Sequence, residues 1–494
     1  MRDYTLFIPE YIAVGGAAAV IAVELVWPRV RKDLLAYLTA LFALAWGGAA
    51  LFWIGKDPLS FQGLIQVDDF TTYFRVLGAG IVFVVSLLSA QFISDRRLNA
   101  ASEYFGLLLI AGAGMVYMAA ARELLTAYLS LEVLSFSLYI LVGFLKRDTL
   151  ANEASLKYIL LGAFASAMLL YGISLVYGIT GTTYYDGIAE GLASRGNDTD
   201  AATLVALMLV LAGVGFKISA VPFHMWAPDA YQGAPLPITA FLSTLSKAAG
   251  FALILRLFTG AFIVDAEEWR WAVAGLAAAT MLGGNLIAIQ QTELKRLIAY
   301  SSIGQVGYML IVIAAIGYGE SIDAENASSA LLLHIVGYVV STLALFGAAI
   351  AYYNRTGKDS LEGMRGMAET QPFLAMVITI SLFSFAGLPL FAGFATKLFM
   401  FQASTAGGEL LWLVGIAVLN SFISLYYYLR IIRWLYLFEP ESGLTRFRVP
   451  PVLWGLTAVL MLGVVFIGVY PRPIFEAADE AVQPLFQLGA DADR

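Results

Sequence analysis

Apolar runs of about 20 residues recur along the whole 494-residue chain, separated by short polar or Gly/Pro-bearing stretches. A helix needs about 20 apolar residues to cross a hydrocarbon core that is ~30 Å thick. The first run lacks a basic leader and a small-residue cleavage site, so we expect a membrane helix there rather than a cleaved signal peptide. The pattern predicts fourteen membrane helices, at residues 7–27, 34–54, 70–93, 105–121, 123–145, 154–179, 201–232, 236–259, 269–290, 297–317, 328–353, 372–403, 409–438 and 450–470.

Two of these segments, 201–232 and 372–403, are about 32 residues long and carry Gly- or Pro-rich interruptions, "AGVGFKISAVPF" and "FAGLPLFAGFATK". They take the fourth place in two groups of five helices, 4–8 and 9–13. Paired interruptions of this kind indicate repeated transporter halves with an ion site near the membrane midplane. The sequence therefore predicts an all-α polytopic membrane protein with two five-helix repeats, divided into residues 1–104, 105–260, 261–438 and 439–494.

The composition supports a membrane protein and narrows its chemistry. Hydrophobic residues make up 60% of the chain and charged residues 13%, against about 25% charged in soluble proteins. The chain has no cysteine and two histidines, His224 and His334. Cysteine-ligated iron–sulfur clusters, structural zinc sites and disulfides are thereby excluded, and we expect no electron transfer through this chain.

Basic residues in the connections predict the orientation, because cytoplasmic loops carry an excess of Lys and Arg. One side holds 16 of the 29 basic residues: Arg29, Arg31, Lys32, Arg96, Arg97, Lys146, Arg147, Lys295, Arg296, Arg355, Lys358, Arg365, Arg430, Arg433, Arg446 and Arg448. The other side holds 7, namely Arg2, Lys56, Arg122, Arg195, Arg270, Arg472 and Arg494. We expect the first side to be cytoplasmic and both termini to lie outside.

The remaining six basic residues fall within predicted helices: Arg75, Lys157, Lys217, Lys247, Arg256 and Lys397. Glu132 lies ~14 Å and Lys247 ~17 Å into their segments, near the bilayer centre. Charges at that depth cost ~2.5–3.5 kcal/mol each and usually serve function or pair with one another. The pattern favours a line of protonatable groups, Glu132, Lys217, Lys247 and Lys397, over a static ion pair between helices.

Other polar residues are weaker candidates. Lys157 begins its segment, where snorkelling to the interface is the competing explanation, and His224 either braces the first interruption or relays protons. His334 has the same two explanations. End positions predict interfacial anchors at Arg75, Arg256 and Glu24. A further set extends the polar line or only hydrogen-bonds neighbouring helices: Ser243, Thr244, Ser246, Ser301, Ser302 and Gln305.

Three long stretches resemble the proton-translocating antiporter-like subunits of complex I: "GFKISAVPFHMWAPDAYQGAPLPITAFLSTLSKAA", "ELKRLIAYSSIGQVGYML" and "FAGLPLFAGFATK". The stretches "LEVLSFSLYILVGF" and "NEASLKYILLGAFASAMLLYGISLVYG" are most similar to the N type of these subunits. Lys397 stands where the M type has a glutamate, which also favours the N type. The resemblance implies 14 helices, with broken helices 7 and 12 in two inverted repeats of helices 4–8 and 9–13. It also implies that Glu132 pairs with Lys217, that Lys247 is the central lysine and that Lys397 leads to the outer exit.

The implied function is proton translocation within an NADH:quinone oxidoreductase, coupled to quinone reduction elsewhere in the complex. No cofactor is expected in this chain, whereas NADH, FMN, iron–sulfur clusters and quinone are expected on other subunits. The expected partners are membrane and peripheral subunits of the complex, including other antiporter-like subunits, and the lipid of a bacterial cell membrane; no nucleic acid is expected. Three alternatives stay open: an Mrp-type cation/proton antiporter, a membrane subunit that no longer pumps, and a related complex with another electron donor, such as ferredoxin or hydrogen.

Overall fold

The computed structural model describes residues 4–96, 100–195, 201–317, 321–405, 408–442 and 444–487. Arg2, Arg97 and Arg494, and with them both chain termini, lie outside the described residues. Within the described ranges every one of the fourteen predicted segments is helical. The first six are α1 (Ile8–Val26), α2 (Lys32–Leu51), α3 (Asp69–Asp95), α4 (Ala101–Ala120), α5 (Leu124–Val142) and α6 (Thr149–Thr180).

The two interrupted segments are each divided into two helices. The seventh consists of α8 (Ala201–Ile218) and α9 (Trp226–Gly233), after the short surface helix α7 (Tyr185–Ala193). The twelfth consists of α15 (Pro372–Ala386) and α16 (Ala392–Ser404), preceded by the single turn α14 (Met367–Thr370). The other segments are α10 (Leu236–Gly260), α11 (Ala266–Ala288), α12 (Leu294–Ile316), α13 (Ser321–Thr356), α17 (Leu411–Leu437) and α18 (Pro451–Val469).

Thirteen described helices are long and apolar enough to cross a membrane, and α15 with α16 completes the fourteen predicted segments. The protein is therefore a multi-pass membrane protein. Whether helices 4–8 and 9–13 form inverted repeats stays a prediction, as do the domain limits.

Three helices form the centre of the bundle. The apolar window of α10 is buried along its whole length, and those of α12 and α13 are nearly so. The helix α13 contacts α10, α12, α15, α16 and α18. Helices α6, α17 and α18 lie at the periphery, with no more than about a third of their apolar windows buried. Their outward-facing apolar side chains are suited to contact lipid or a neighbouring subunit.

A hairpin and a last helix, like α7, lie outside the predicted segments. Strands β1 (Leu59–Phe61) and β2 (Ile65–Val67) form an antiparallel hairpin between α2 and α3, with Ser60 opposite Gln66. A last helix, α19 (Arg472–Gln487), packs on α3 and α13. Its buried face is short and apolar and its other face is charged, so it does not pass a search for apolar runs.

The prediction that Arg75 and Arg256 are interfacial anchors is wrong. Both side chains are fully buried, and each forms a two-pronged ion pair. Arg75 donates to the Glu10 carboxylate at 2.7 and 2.8 Å, and Arg256 donates to Asp68 at 2.7 and 2.8 Å. Buried guanidinium and carboxylate groups compensate one another in this geometry. These pairs fasten α3 to α1 and the end of α10 to the start of α3. Glu24, by contrast, is bonded to Lys32 at the ends of α1 and α2.

Candidate functional site

The first interruption begins after Lys217, so this lysine belongs to the last turn of α8. Ser219 ends the helix in the left-handed region, with φ +67°. The glycines before the lysine do not break the helix. A Cβ at Gly213 would lie 2.5 Å from Leu169 Cβ, so this glycine lets α8 pack closely on α6. The break is therefore placed by the Ser219–Met225 stretch that contains Pro222, and Lys217 projects from an intact helix end.

Lys217 is 1% exposed and donates a hydrogen bond to Ser135 Oγ on α5, at 2.9 Å. The direct ion pair with Glu132 that the resemblance implies is absent: within the described residues no carboxylate lies within 4 Å of this ammonium. Glu132 is half-buried one turn before Ser135 and accepts a hydrogen bond from Ser166 on α6. The hydroxyl of Ser135 thus occupies the place expected for the carboxylate.

Lys247 lies in the middle of α10 and is also 1% exposed. Its ammonium lies 5.7 Å from the ring centroid of Tyr231 on α9. In the described part of the chain it forms no ion pair and no hydrogen bond. A lysine buried without a fixed carboxylate partner is costly in a membrane bundle and is characteristic of ion pathways.

The hydroxyl residues around Lys247 behave in two ways. Ser243 and Thr244 donate to the carbonyl of Ala240 in their own helix, at 3.0 and 2.8 Å, which is the structural alternative. Ser246 instead donates to the carbonyl of Lys217, at 3.3 Å. This contact joins α10 to the end of α8 between the two lysines.

The second interruption holds Lys397 in a different way, because this lysine follows the break. It lies in α16, is 4% exposed, and donates to the carbonyl of Phe385 at 2.8 Å. Gln305 of α12 donates to the same carbonyl at 3.1 Å. The last carbonyls of a helix lack partners within it and carry partial negative charge. The broken end of α15 therefore binds the ammonium in place of a carboxylate.

His334 lies on α13, close to the last lysine, Lys397. It is buried, and its Nδ1 shares a hydrogen bond with Thr396 Oγ1, at 2.8 Å, next to Lys397 in sequence. Its Nε2 is buried without a hydrogen-bond partner in the described structure. Tyr308 of α12 places its ring 4.2 Å from the Lys397 ammonium. The two aromatic contacts, Tyr231 with Lys247 and Tyr308 with Lys397, have no sequence signal beyond an aromatic residue within a predicted segment.

Lys157 and His224 do not join this line of groups. Lys157 has a half-exposed side chain and pairs with Glu153 at 2.7 Å and Asp229 at 2.9 Å. Arg296 also pairs with Asp229, at 2.5 Å. His224 is partly buried inside the first interruption, with its ring 6.5 Å from that of Tyr300. Both residues lie next to α9, which agrees with a structural role in supporting the interrupted backbone.

A separate polar cluster joins α17 to both α11 and α12. Asn285 donates to Asn420 Oδ1 at 3.1 Å and accepts from Tyr427 OH at 2.8 Å. Ser301 and Tyr428 share a hydrogen bond of 2.6 Å. These partners satisfy one another, so the interhelical hydrogen-bonding explanation holds for Ser301. No group of three potential metal ligands occurs among the described residues.

The helices that carry Glu132 and the three buried lysines lie inside a region that matches a known family. Residues 121–424 match the family described as NADH:quinone oxidoreductase/Mrp antiporter, transmembrane. The chain belongs to this family. The match includes Glu132, Lys217, Lys247 and Lys397, and the antiporter-like region therefore coincides with the buried lysines.

Full-length relatives agree with this membership. The chain is 38% identical over 486 residues to NADH-quinone oxidoreductase subunit N of Dehalococcoides mccartyi, covering 97% of this chain and 99% of that protein. A chain of respiratory complex I from Thermus thermophilus with bound aureothin superposes with TM-score 0.78 and 30% identity, covering 96% of this chain and 100% of that one. A chain of the Mrp complex from Dietzia sp. has the same fold, with TM-score 0.82 and 23% identity, covering 97% and 98%.

Proposed function

We propose that this chain is a proton-translocating membrane subunit of an NADH:quinone oxidoreductase. It moves protons along Glu132, Lys217, Lys247 and Lys397 while quinone is reduced elsewhere in the complex. The observation that supports this most directly is the burial of three lysines, each at most 4% exposed, in a family member. None of them has a carboxylate within 4 Å in the described structure. Such residues in a membrane bundle mark ion and proton paths.

The helices that carry these residues form a continuous series of contacts. Helix α5 contacts α10, α8 contacts α10, α10 contacts α13, and α13 contacts α16. Ser135 and Ser246 supply hydroxyls at Lys217, and His334 with Thr396 supplies an imidazole and a hydroxyl beside Lys397. Hydroxyl and imidazole side chains both donate and accept hydrogen bonds. They are suited to pass protons between ammonium groups, directly or through water.

In this mechanism the chain's own residues hold and release protons. Glu132 accepts a hydrogen bond from Ser166 of the neighbouring helix, and a carboxylate close to Lys217 favours the protonated lysine. Movement of that carboxylate away from Lys217 favours proton transfer to Lys247, because an ammonium loses its stabilising charge. Lys397 receives the proton at the end of α15 and releases it to the outer side.

The cofactor sites, the partner subunits and the membrane orientation follow from the same proposal. NADH, FMN, iron–sulfur clusters and quinone bind to other subunits, and the peripheral helices contact lipid and neighbouring antiporter-like subunits. The chain lies in a bacterial cell membrane with both termini outside, which the excess of Lys and Arg on one side supports. Residues 105–260 and 261–438 are the two functional repeats. Lys157 and His224 brace α9 rather than carry protons.

The Mrp-type antiporter is the second candidate. It shares the fold, but the identity to the Dietzia chain is 23%, against 38% to the subunit N relative over nearly the whole chain. The comparison favours the oxidoreductase subunit.

The experiment that tests the proposal is purification of the native assembly in mild detergent, with assays of NADH:quinone reductase activity and of proton pumping in proteoliposomes. Lys247→Ala and Glu132→Ala should leave the assembly intact and lower pumping. A small assembly without reductase activity, but with sodium-dependent proton exchange, would instead establish the antiporter. Wild-type pumping in both assembled variants would show that the proposed axis is wrong.

A further inference from the structure

Two adjoining cavities lie far from the lysine axis, on the side with the excess of basic residues. The first, of about 490 Å³, lies between the end of α13 and the segment before α18, and Gln91, Arg355, Arg446 and Arg448 contribute its polar lining. The second, of about 460 Å³, shares Arg446 and Arg448 and extends to Phe373 and Trp454. Neither cavity has a role in the proposed proton path.

The charged side chains that line these cavities are all positive. The three arginines are exposed, and in the described part of the chain none of them forms an ion pair. Among the described residues, neither cavity is lined by an Asp or Glu side chain. Arg446 Nε donates to the backbone carbonyl of Glu369 at 3.1 Å, which holds its guanidinium beside the cavities. Three guanidinium groups without carboxylate partners favour an anionic ligand.

Two helices begin at the second cavity. Helix α15 starts at Pro372 and α18 at Pro451, and both prolines line it. Helix N-termini carry partial positive charge and free backbone N–H groups, which favour phosphate and carboxylate ligands. Gln371 donates to the carbonyl of Phe447 at 2.7 Å and so ties the arginine-bearing segment to the start of α15. The N-termini of two helices and two arginines therefore all contribute positive charge to the second cavity.

The position of the cavities favours a lipid as the source of the anion. The rings of Phe373 and Trp454 lie 4.9 Å apart, and Trp454 is 50% exposed. Tryptophan at this position is typical of the boundary between headgroups and hydrocarbon. Below it, the outer face of α18 exposes apolar side chains suited to acyl chains: Val459, Leu462, Phe466 and Val469.

We propose that Arg355, Arg446 and Arg448 form a binding site for the phosphate headgroup of an anionic phospholipid, whose acyl chains lie along α18. The phosphodiester oxygens accept hydrogen bonds from the guanidinium groups, which match phosphate in a two-pronged geometry. Basic pockets between membrane helices on the cytoplasmic side are known to take such headgroups. The site is independent of proton movement and extends the function of the chain to lipid recognition.

The absence of native cysteine allows a local test. Thr445 lines the first cavity, and Thr445→Cys places the only thiol of this chain there. The purified, delipidated complex carrying this variant would be treated with maleimide, and the labelling of this chain measured by mass spectrometry. Three probes are added separately: detergent micelles that contain phosphatidylglycerol, detergent micelles that contain phosphatidylcholine, and inorganic phosphate. Ser442→Cys, exposed in the same segment but outside the cavity lining, is the matched control.

Each arginine adds about fivefold to anionic lipid binding, so three favour phosphatidylglycerol over phosphatidylcholine by about a hundredfold. Phosphatidylglycerol should therefore slow labelling of Thr445→Cys at concentrations where phosphatidylcholine has no effect. Ser442→Cys should be labelled equally in all conditions. Adding Arg446→Gln and Arg448→Gln should remove the protection, whereas Arg29→Gln, an exposed arginine elsewhere on the same side, should not.

Three results would overturn the proposal. Equal protection by both lipids would mean apolar coverage without headgroup recognition. Protection by inorganic phosphate as strong as that by phosphatidylglycerol would mean a site for free anions. A thiol protected before any lipid is added, and exposed only when the complex is dissociated, would mean that a neighbouring subunit covers the arginines. Pumping is not measured in any arm, so failure here is distinct from failure of the proposed proton path.

Discussion

The ammonium of Lys397 donates a hydrogen bond to the backbone carbonyl of Phe385 at 2.8 Å, across the interruption that separates α15 from α16. The lysine and the free helix end thus stabilise one another. A break in the helix supplies acceptors at membrane depth, and the ammonium needs acceptors there. The partner of Lys397 is therefore a backbone carbonyl, which carries only a partial charge and does not take up a proton. It binds the ammonium less tightly than a carboxylate would.

Lys397→Met should abolish most coupled proton transport while the complex assembles. A positioned proton-transfer group contributes about a hundredfold or more to rate, and methionine keeps the length and apolar stem of lysine. Proton pumping per NADH oxidised, measured in proteoliposomes, is the test. Lys56→Met, at an exposed lysine over the Trp53 ring, is the matched control. Equal pumping by the two variants would remove Lys397 from the path.

Ser135→Ala should impair pumping through Lys217. The hydroxyl is the hydrogen-bond partner of that ammonium, and a hydrogen bond to a charged group contributes about 1.5–3 kcal/mol. We expect pumping to fall by about tenfold or more and its pH profile to shift, while Ser135→Thr restores both. Ser137→Ala is the control, because Ser137 donates only to Val133 in its own helix. A loss of assembled complex with an unchanged pH profile would indicate a purely structural role.

Most of the architecture can be predicted from the sequence, because long apolar runs and their polar boundaries follow directly from bilayer thickness. The burial of Lys217, Lys247 and Lys397 is likewise implied by their depth. The partners are different. Ser135, rather than Glu132, contacts Lys217. The two residues lie three positions apart on nearly the same face of α5, so the choice depends on how far α5 is shifted along its axis relative to α8. Hydrophobic periodicity does not specify such a shift.

The arginines show a second limit of sequence reasoning. Arg75 and Arg256 fall near segment ends, where snorkelling is the default. Their carboxylate partners, Glu10 and Asp68, are 65 and 188 residues away in sequence. Pairings over such separations depend on tertiary packing, which a single sequence does not display. The helix α19 escapes prediction for another reason, because its apolar residues lie on one face only and do not form an apolar run.

Arg75→Met should destabilise the chain strongly. It leaves the carboxylate of Glu10 buried without a partner, and removal of one member of a buried ion pair costs about 3–5 kcal/mol. The temperature at which the purified complex loses this chain should fall. Adding Glu10→Leu should recover most of the loss, because an apolar pair can replace a buried ion pair. A double variant no more stable than Arg75→Met would contradict this account.

Lys157→Met should have little effect on pumping. The side chain is 46% exposed, and its ion pair with Asp229 is backed by Arg296. Half-exposed ion pairs contribute about 0–1 kcal/mol. Pumping within about twofold of wild type is expected, in contrast to Lys217→Met measured in parallel. A loss as large as that of Lys217→Met would return Lys157 to the proton path.

Gly393→Ala should separate the two halves of the second broken helix. An added Cβ would lie 1.8 Å from the backbone oxygen of Ser384, so α16 must move away from α15. The movement breaks the hydrogen bond from Gly393 N to Ser384 Oγ, now 2.9 Å, and withdraws Lys397 from Phe385. We expect lower pumping in assembled complex, at a level near that of Lys397→Met. Gly415→Ala is the control, because a Cβ there meets nothing within 4 Å and alanine favours the helix. If Gly393→Ala pumps as Gly415→Ala does, close contact between the half-helices is not required for proton transfer at Lys397.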